Sequence, residues 1–451
     1  MSGINELATE PVGRLLWKYS LPSVVGMTVA SLYNVIDRVF IGQNVGHEAI
    51  AGLAITFPVM NLSTALGVLI GAGASARVSM LLGAKNHEEA ERTLGSALLL
   101  LAIIGTVYVS CFGFWLKDIL RAFGASDVTL PYAFSFMSVL LPGLLIMNFT
   151  FSFNNIQRAS GYPRRAMMTM VYSALVNIVL AWLFIFPLNM GIAGAALATV
   201  IATTCACVFV FWHFFRKTSV VHFRRGIFTL RWRTVWPILA IGSAPCAVNA
   251  AGSLVNVIIN RSLVFYGGDD AVGAAGIFTT VTQLVVMVVL GICQGMQPIV
   301  GYNYGAGRLD RSIKTFWLAV GAATVLCVLS SVAGIACPEA LARAFTNHPR
   351  LIEVTATCLS TSMLAFSLVG FQIVSTNFFQ SIGKAGESLL LGLARQVIFL
   401  IPLLLWLPSA FHLNGVWMAF PISDALATVV TAALIFWQLR RLTASRIPNR
   451  A

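Results

Sequence analysis

The chain has 451 residues, 58% of them hydrophobic and only 10% charged, with a mean hydropathy of +0.85. About a quarter of a soluble domain's residues are charged, so this sequence cannot clothe a water-facing surface and is read as an integral membrane protein. The formal net charge of +13 would suggest a nucleic-acid partner in a soluble protein; here it is loop Lys and Arg fixing orientation, and no nucleic acid is expected.

A spanning helix needs about 20 largely apolar residues. Such runs predict spans near 16–41, 51–76, 93–116, 130–157, 166–186, 191–212, 234–260, 272–300, 315–336, 354–380, 388–410 and 413–439. The segment "PLNMG" separates the fifth from the sixth, and "LPSAFHLNG" the eleventh from the twelfth. The opening "MSGINELATEPVG" lacks a basic region before the first apolar run, so no cleaved signal is expected and the first span stays. Cysteines 111, 205, 207, 246, 293, 327, 337 and 358 show neither disulfide-framework nor metal-ligand spacing.

Orientation follows from the loop cations. With the N-terminus inside, the outside segments carry only Arg38, Lys117, Arg121, Arg261, Arg343 and Arg350. The inside segments carry many more, among them Arg158, Arg164, Arg165, Arg216, Lys217, Arg224, Arg440, Arg441, Arg446 and Arg450. Both termini are therefore placed in the cytoplasm, and 213–233 reads as a basic cytoplasmic linker.

The two sides of that linker repeat one another. "SLP" (20–22) matches "SAP" (243–245), "NVIDR" (34–38) matches "VIINR" (257–261), and "AGLAIT" (51–56) matches "AGIFTT" (275–280). "LLGAKNHEEAERT" finds "YGAGRLDRSIKT", and "NNIQRASG" (154–161) finds "NFFQSIG" (377–383). The register stays at about 223 residues. Six spans is an even number, so both halves insert alike, as parallel repeats about an axis along the membrane normal. The expected fold is an all-α integral membrane protein. Twelve transmembrane helices form two pseudo-symmetric six-helix bundles, 1–220 and 221–451.

Charge inside an apolar span marks function by default. In "YNVIDRVFIG" (33–42), the repeat partners of Asp37 and Arg38 are Asn260 and Arg261. The arginine, common to both halves, reads as a snorkelling interfacial residue. The acid is asymmetric and is a candidate for ion coupling. Asp424, in "PISDALATVV", lies about 16 Å from the outer end of its span. Two readings of it stand: a second ion-path carboxylate, or a structural partner of Arg395 at long axial reach. Arg77 reads as an anchor at the end of the second span. Asn154, Gln157, Asn177, Gln283, Gln294, Asn377 and Gln380 are uncharged polar groups inside spans. Singly each is helix–helix glue. As a set with Arg395, leaving Asn177 aside, they are the candidates for a substrate cavity. Gly67 and Gly71, and the run "GIAGAALAT", predict close helix packing.

No phosphate-binding Gly-rich loop with Lys, no His cluster and no insertion large enough for a nucleotide domain is present. No enzyme activity, organic cofactor or bound metal is expected, and transport would draw on an ion gradient.

The ordered set "SLP…YNVIDRVFIG", "IAGLAITFP", "LLGAKNHEEAERTLG", "NNIQRASGYP", "NIVL…GIAGAALAT" and "GICQGMQPIVGYNYGAGR" resembles the MATE (multidrug and toxic compound extrusion) transporters, in particular their prokaryotic multidrug branch. The resemblance runs from about residue 10 to 440. It implies two six-helix bundles working by alternating access, exporting amphipathic, mostly cationic compounds against inward Na⁺ or H⁺. It also implies a cation site in the first bundle made by Asp37, Asn177 and Thr199. Where the pattern has a second acid, this chain has Ala181. Hard cations want several oxygen ligands, so H⁺ is favoured over Na⁺ as the coupling ion. Similar sequences carry an arginine just before the "LLGA" motif; this chain has Met80 there and Arg77 one turn earlier. The expectation is therefore a monomeric secondary transporter of the bacterial cytoplasmic membrane, touching small amphipathic substrates and membrane lipid. A flippase for a lipid-linked substrate of the same superfamily is the alternative.

Overall fold

The computed structural model describes residues 2–44 and 47–444; Arg446 and Arg450 lie outside them. Every regular element among the described residues is helical. That is what lipid demands of apolar segments, because each must close its own backbone hydrogen bonds.

The first six spans are α1 (Val12–Asn44), α2 (His47–Gly83), α3 (His87–Phe114), α4 (Leu130–Ala159), α5 (Pro163–Ile185) and α6 (Gly191–Phe215). A continuous helical stretch, Trp232–Gly305, is broken at Gly268 (φ 63°, ψ −158°) into α7 (232–267) and α8 (269–305). Only glycine adopts that backbone conformation without strain, so the turn between these spans is set by one residue. The span α9 is Leu309–Ala336; α10 is a bent pair, Pro349–Ser362 and Phe366–Ser381, angled by 51°. The last two spans, α11 (385–411) and α12 (413–444), part at His412, where φ is 50°. The twelve expected spans are all present, and the breaks fall within "PLNMG" and "LPSAFHLNG". The eight cysteines are free thiols.

The chain divides into two compact units. One is built from Leu21–Cys246, Gly301–Gly307 and the N-terminal residues up to Pro11. The other comprises Val12–Ser20, Ala247–Val300 and the chain from Arg308 onward. Two of the cuts, after Ser20 and after Cys246, fall in "SLP" and one residue past "SAP"; the others follow Pro11, Val300 and Gly307.

In the first unit α2 packs on α4, and α4 on α6. The Gly67–Gly71 stripe lets α4 approach, so that Ser152 Oγ donates to the Gly67 carbonyl at 3.0 Å and Asn148 Nδ2 to Ser63 Oγ at 3.0 Å. Tyr108 on α3 donates to the Val59 carbonyl at 2.6 Å. Asn86 caps α3 by accepting from the Glu89 amide at 3.1 Å, satisfying one of the open N–H groups at a helix start. The tightest approach joins α2 to the start of α7. A Cβ added at Gly242 would overlap the Leu69 carbonyl, and one at Gly73 the Ile238 carbonyl. Backbone cannot yield as a side chain can, so Gly242→Val is expected to destabilise the protein by about 3 kcal/mol, the upper end of what overpacking costs. The check is the unfolding temperature and the monodisperse fraction of the purified protein.

The linker is not a free basic loop. Helix α6 runs on through Phe215, and residues 216–231 fold back along α3. Arg224 Nε pairs with the buried Glu91 at 2.7 Å, and His222 Nδ1 lies 3.1 Å from the same carboxylate. Ser96 Oγ donates to the Thr229 carbonyl at 2.8 Å, and Thr234 Oγ1 to Glu89 at 2.8 Å. Phe223 inserts among Phe153, Phe211 and Phe214. Arg158, read above as a loop cation, is also a correction. It is 4% exposed, and its guanidinium donates to Asn154 Oδ1 at 3.0 Å.

Candidate functional site

In the first unit α1, α5 and α6 bring three polar side chains together. The Asn177 amide lies 2.9 Å and 3.2 Å from the two carboxylate oxygens of Asp37, and with Asp37 ionised its nitrogen is assigned to that side as the donor, since the opposite orientation would set oxygen against oxygen. The amide oxygen then meets Thr199 Oγ1 at 3.0 Å, and that hydroxyl also lies 3.1 Å from the Ala195 carbonyl. Asn177 is buried. Asp37 is half-buried, and among the described residues no Lys, Arg or His nitrogen lies within 4 Å of it.

The carboxylate opens on a cavity of about 70 Å³, lined by Tyr33, Phe57, Met60, Phe136 and Thr199 among others. Small-molecule sites usually take some 300–1,000 Å³, so this space suits an ion and its water. Arg38 turns away from the acid and lays its guanidinium 5.1 Å from the Phe57 ring centre, as an interfacial arginine does. Ala181, one turn beyond Asn177, is fully buried in the same apolar cluster as Ile41, itself one turn beyond Asp37. Where a second acid would sit, the chain has a methyl group against hydrocarbon.

Asp424 belongs to the second unit and has a different environment. It is 3% exposed, and Arg395 Nε donates to it at 2.6 Å. Around the pair, Ser423 Oγ donates to the Arg395 carbonyl at 2.9 Å and Gln372 Nε2 to the Asp424 carbonyl at 2.7 Å. Arg395 lies in a π-helical stretch, Ala394–Leu400. Such stretches insert an extra residue per turn and re-aim side chains, and here the insertion accompanies the close pairing.

The other polar residues are dispersed. Asn154 donates to the Ala166 carbonyl at 2.8 Å, tying α4 to α5. Asn377 donates back to Ile373 of its own helix at 2.9 Å. Gln283 is exposed, Gln294 is half-buried and Gln380 is buried. Gln157 is fully buried, with neither amide atom hydrogen-bonded. It borders a second cavity with Arg165 and Arg216, which the sequence offered only as loop cations.

Twelve apolar helices in duplicated order, with a carboxylate set into a cavity of the first half, define an integral membrane transporter rather than an enzyme. The sequence model of MatE matches the chain twice, at residues 22–183 and 245–406. The chain belongs to the MatE family, and the two matches restate the internal repeat. It is 26% identical over 441 residues to the multidrug export protein MepA of Staphylococcus aureus (strain COL), covering 96% of this chain and 95% of that protein. The MepA of Staphylococcus saprophyticus is 22% identical over 430 residues, covering 95% and 94%. Among solved structures, a multidrug resistance MATE family transporter of the MOP superfamily in an outward-facing conformation superposes with a TM-score of 0.91, at 24% identity and 99% coverage of both chains. A MOP superfamily transporter from Pyrococcus furiosus gives the same score, identity and coverage.

Proposed function

We propose that the protein exports small amphipathic, mostly cationic compounds in exchange for protons, with Asp37 as the coupling carboxylate. Export follows from the relatives, which are multidrug export proteins over nearly the full length of this chain. The observation that carries the proton reading is the surroundings of Asp37. Asp37 is the only acid among the described residues lining its cavity, and Ala181 withholds the second carboxylate. A proton needs one carboxylate; a hard cation needs several oxygens. Thr199 fixes the amide, so protonation of Asp37 changes a local hydrogen-bond set, and that change has to favour one conformation of the transporter for drug to be coupled to the ion.

The loop cations support a cytoplasmic-membrane protein with both termini inside, and the internal repeat supports six-helix halves at 1–220 and 221–451; a monomer is proposed with them. Asp424 is assigned here to a structural pair with Arg395. The test uses everted vesicles, whose lumen stands for the outside. An acid lumen without Na⁺ is expected to drive ethidium into the vesicles, and a Na⁺-loaded lumen at equal pH is not. Uptake driven by Na⁺ alone would reverse the ion assignment. Absence of uptake under both gradients would remove drug export and leave the flippase.

A further inference from the structure

At the end of the first unit that carries the basic loops, a cavity of about 160 Å³ opens between α4, α5 and α6, bordered by Gln157, Arg165, Met168, Trp212, His213 and Arg216. Its inner wall is Gln157, fully buried, with both the amide oxygen and the amide nitrogen unpaired. A buried polar group in a native protein normally has a partner; here a glutamine bordering the cavity has an unpaired donor and an unpaired acceptor.

The basic side chains of the rim are held in place. Arg165 Nη1 lies 2.9 Å from His213 Nδ1. A guanidinium only donates, so Nδ1 accepts, the imidazole is neutral, and its Nε2–H is given to Ser219 Oγ at 3.0 Å. Arg216 stacks over Trp212, 3.7 Å from the ring centre, and Arg165 rests over Tyr162 at 5.2 Å. Neither arginine has a carboxylate within 4 Å among the described residues. Two fixed positive charges, each with spare N–H groups, therefore share a pocket with an unpaired amide and no acid. That donor set matches a phosphate group.

We propose that this cavity binds a phosphate ester, presented by an anionic lipid headgroup at the membrane interface. Trp212 is 55% exposed and Met168 54% exposed at the apolar rim, where an acyl chain would lie against them, and basic pockets among transmembrane helices suit anionic headgroups. The site is separate from the Asp37 cluster and does not rest on the transport reading.

The test is native mass spectrometry of the detergent-purified protein with phosphatidylglycerol or phosphatidylcholine, beside thermal unfolding with inorganic phosphate. Each lost charge-assisted contact is worth about tenfold in affinity. Arg165→Gln/Arg216→Gln is expected to weaken phosphatidylglycerol retention at least tenfold. Arg164→Gln/Lys217→Gln, which removes two charges outside the cavity, is expected to leave it unchanged. Gln157→Leu is expected to weaken retention several-fold while holding or raising the unfolding temperature, a split that a purely structural glutamine would not give. Stabilisation by phosphate that Arg165→Gln/Arg216→Gln abolishes, with no preference for phosphatidylglycerol, would keep the phosphate chemistry and replace lipid by a soluble anion. Equal loss in both double variants, or no response to either ligand, would overturn the site.

Discussion

Asp37→Asn is expected to reduce pH-driven ethidium uptake to the level of vesicles lacking the protein, while folded yield and unfolding temperature stay close to wild type. The substitution keeps the shape of the side chain and its contact with Asn177, and it removes the only carboxylate that the described residues give that cavity. A ligand shifts a conformational equilibrium only through different affinity for the two states, and a side chain that cannot bind the proton contributes none. Asp37→Glu keeps the carboxylate but moves it relative to Asn177 and Thr199; partial activity is expected. The converse substitution is Ala181→Asp. Residue 181 lies one helical turn from Asn177 on the same face, so a carboxylate there adds the oxygens that a metal cation lacks. Na⁺-stimulated uptake in Ala181→Asp, absent from wild type, is the expected signature. If Asp37→Asn transported normally under a pH gradient, the Asp37 cluster would not be the coupling site.

The parts of this architecture that were legible in the sequence were those written as local pattern. Twelve apolar runs, the breaks at "PLNMG" and "LPSAFHLNG", and the repeat all come from stretches of a few tens of residues, and lipid leaves such stretches little choice but helix. Asp37 stood out because a charge in a span is costly. Asn177 and Thr199 carried no such signal, since a lone Asn or Thr in a span is ordinary glue, and only resemblance joined them to Asp37.

Contacts between distant segments were not legible. Glu91 and Arg224 look like ordinary surface charges, yet they meet where the linker folds back on α3, and Phe223 acquires its role only from that fold. The Arg395–Asp424 pairing was one of two readings the sequence allowed, and what the sequence did not show is how close it is: α11 runs from 385 and a π-helical stretch, Ala394–Leu400, carries Arg395, so a depth counted along an ideal helix overstates the reach.

Arg395→Leu is expected to destabilise the protein severely, by about 3–5 kcal/mol, because it leaves the Asp424 charge buried without its partner. Asp424 is 4% exposed at the side chain and Arg395 30%, so the acid cannot recover solvation by a small movement. Replacing both partners by leucine removes the charge as well as its partner, and buried pairs exchanged for apolar residues of similar volume commonly lose little stability or gain some. The double variant Arg395→Leu/Asp424→Leu is therefore expected to unfold within a few degrees of wild type, far above Arg395→Leu alone. The same comparison separates the two roles that the sequence allowed for Asp424. A structural pair predicts that the double variant regains both stability and pH-driven uptake. An ion-path carboxylate predicts a stable double variant that has lost uptake, since leucine restores packing but cannot bind a proton. Because Arg395 donates directly to Asp424, while Asp37 has no cation beside it, the recovery of both properties together is the expected result.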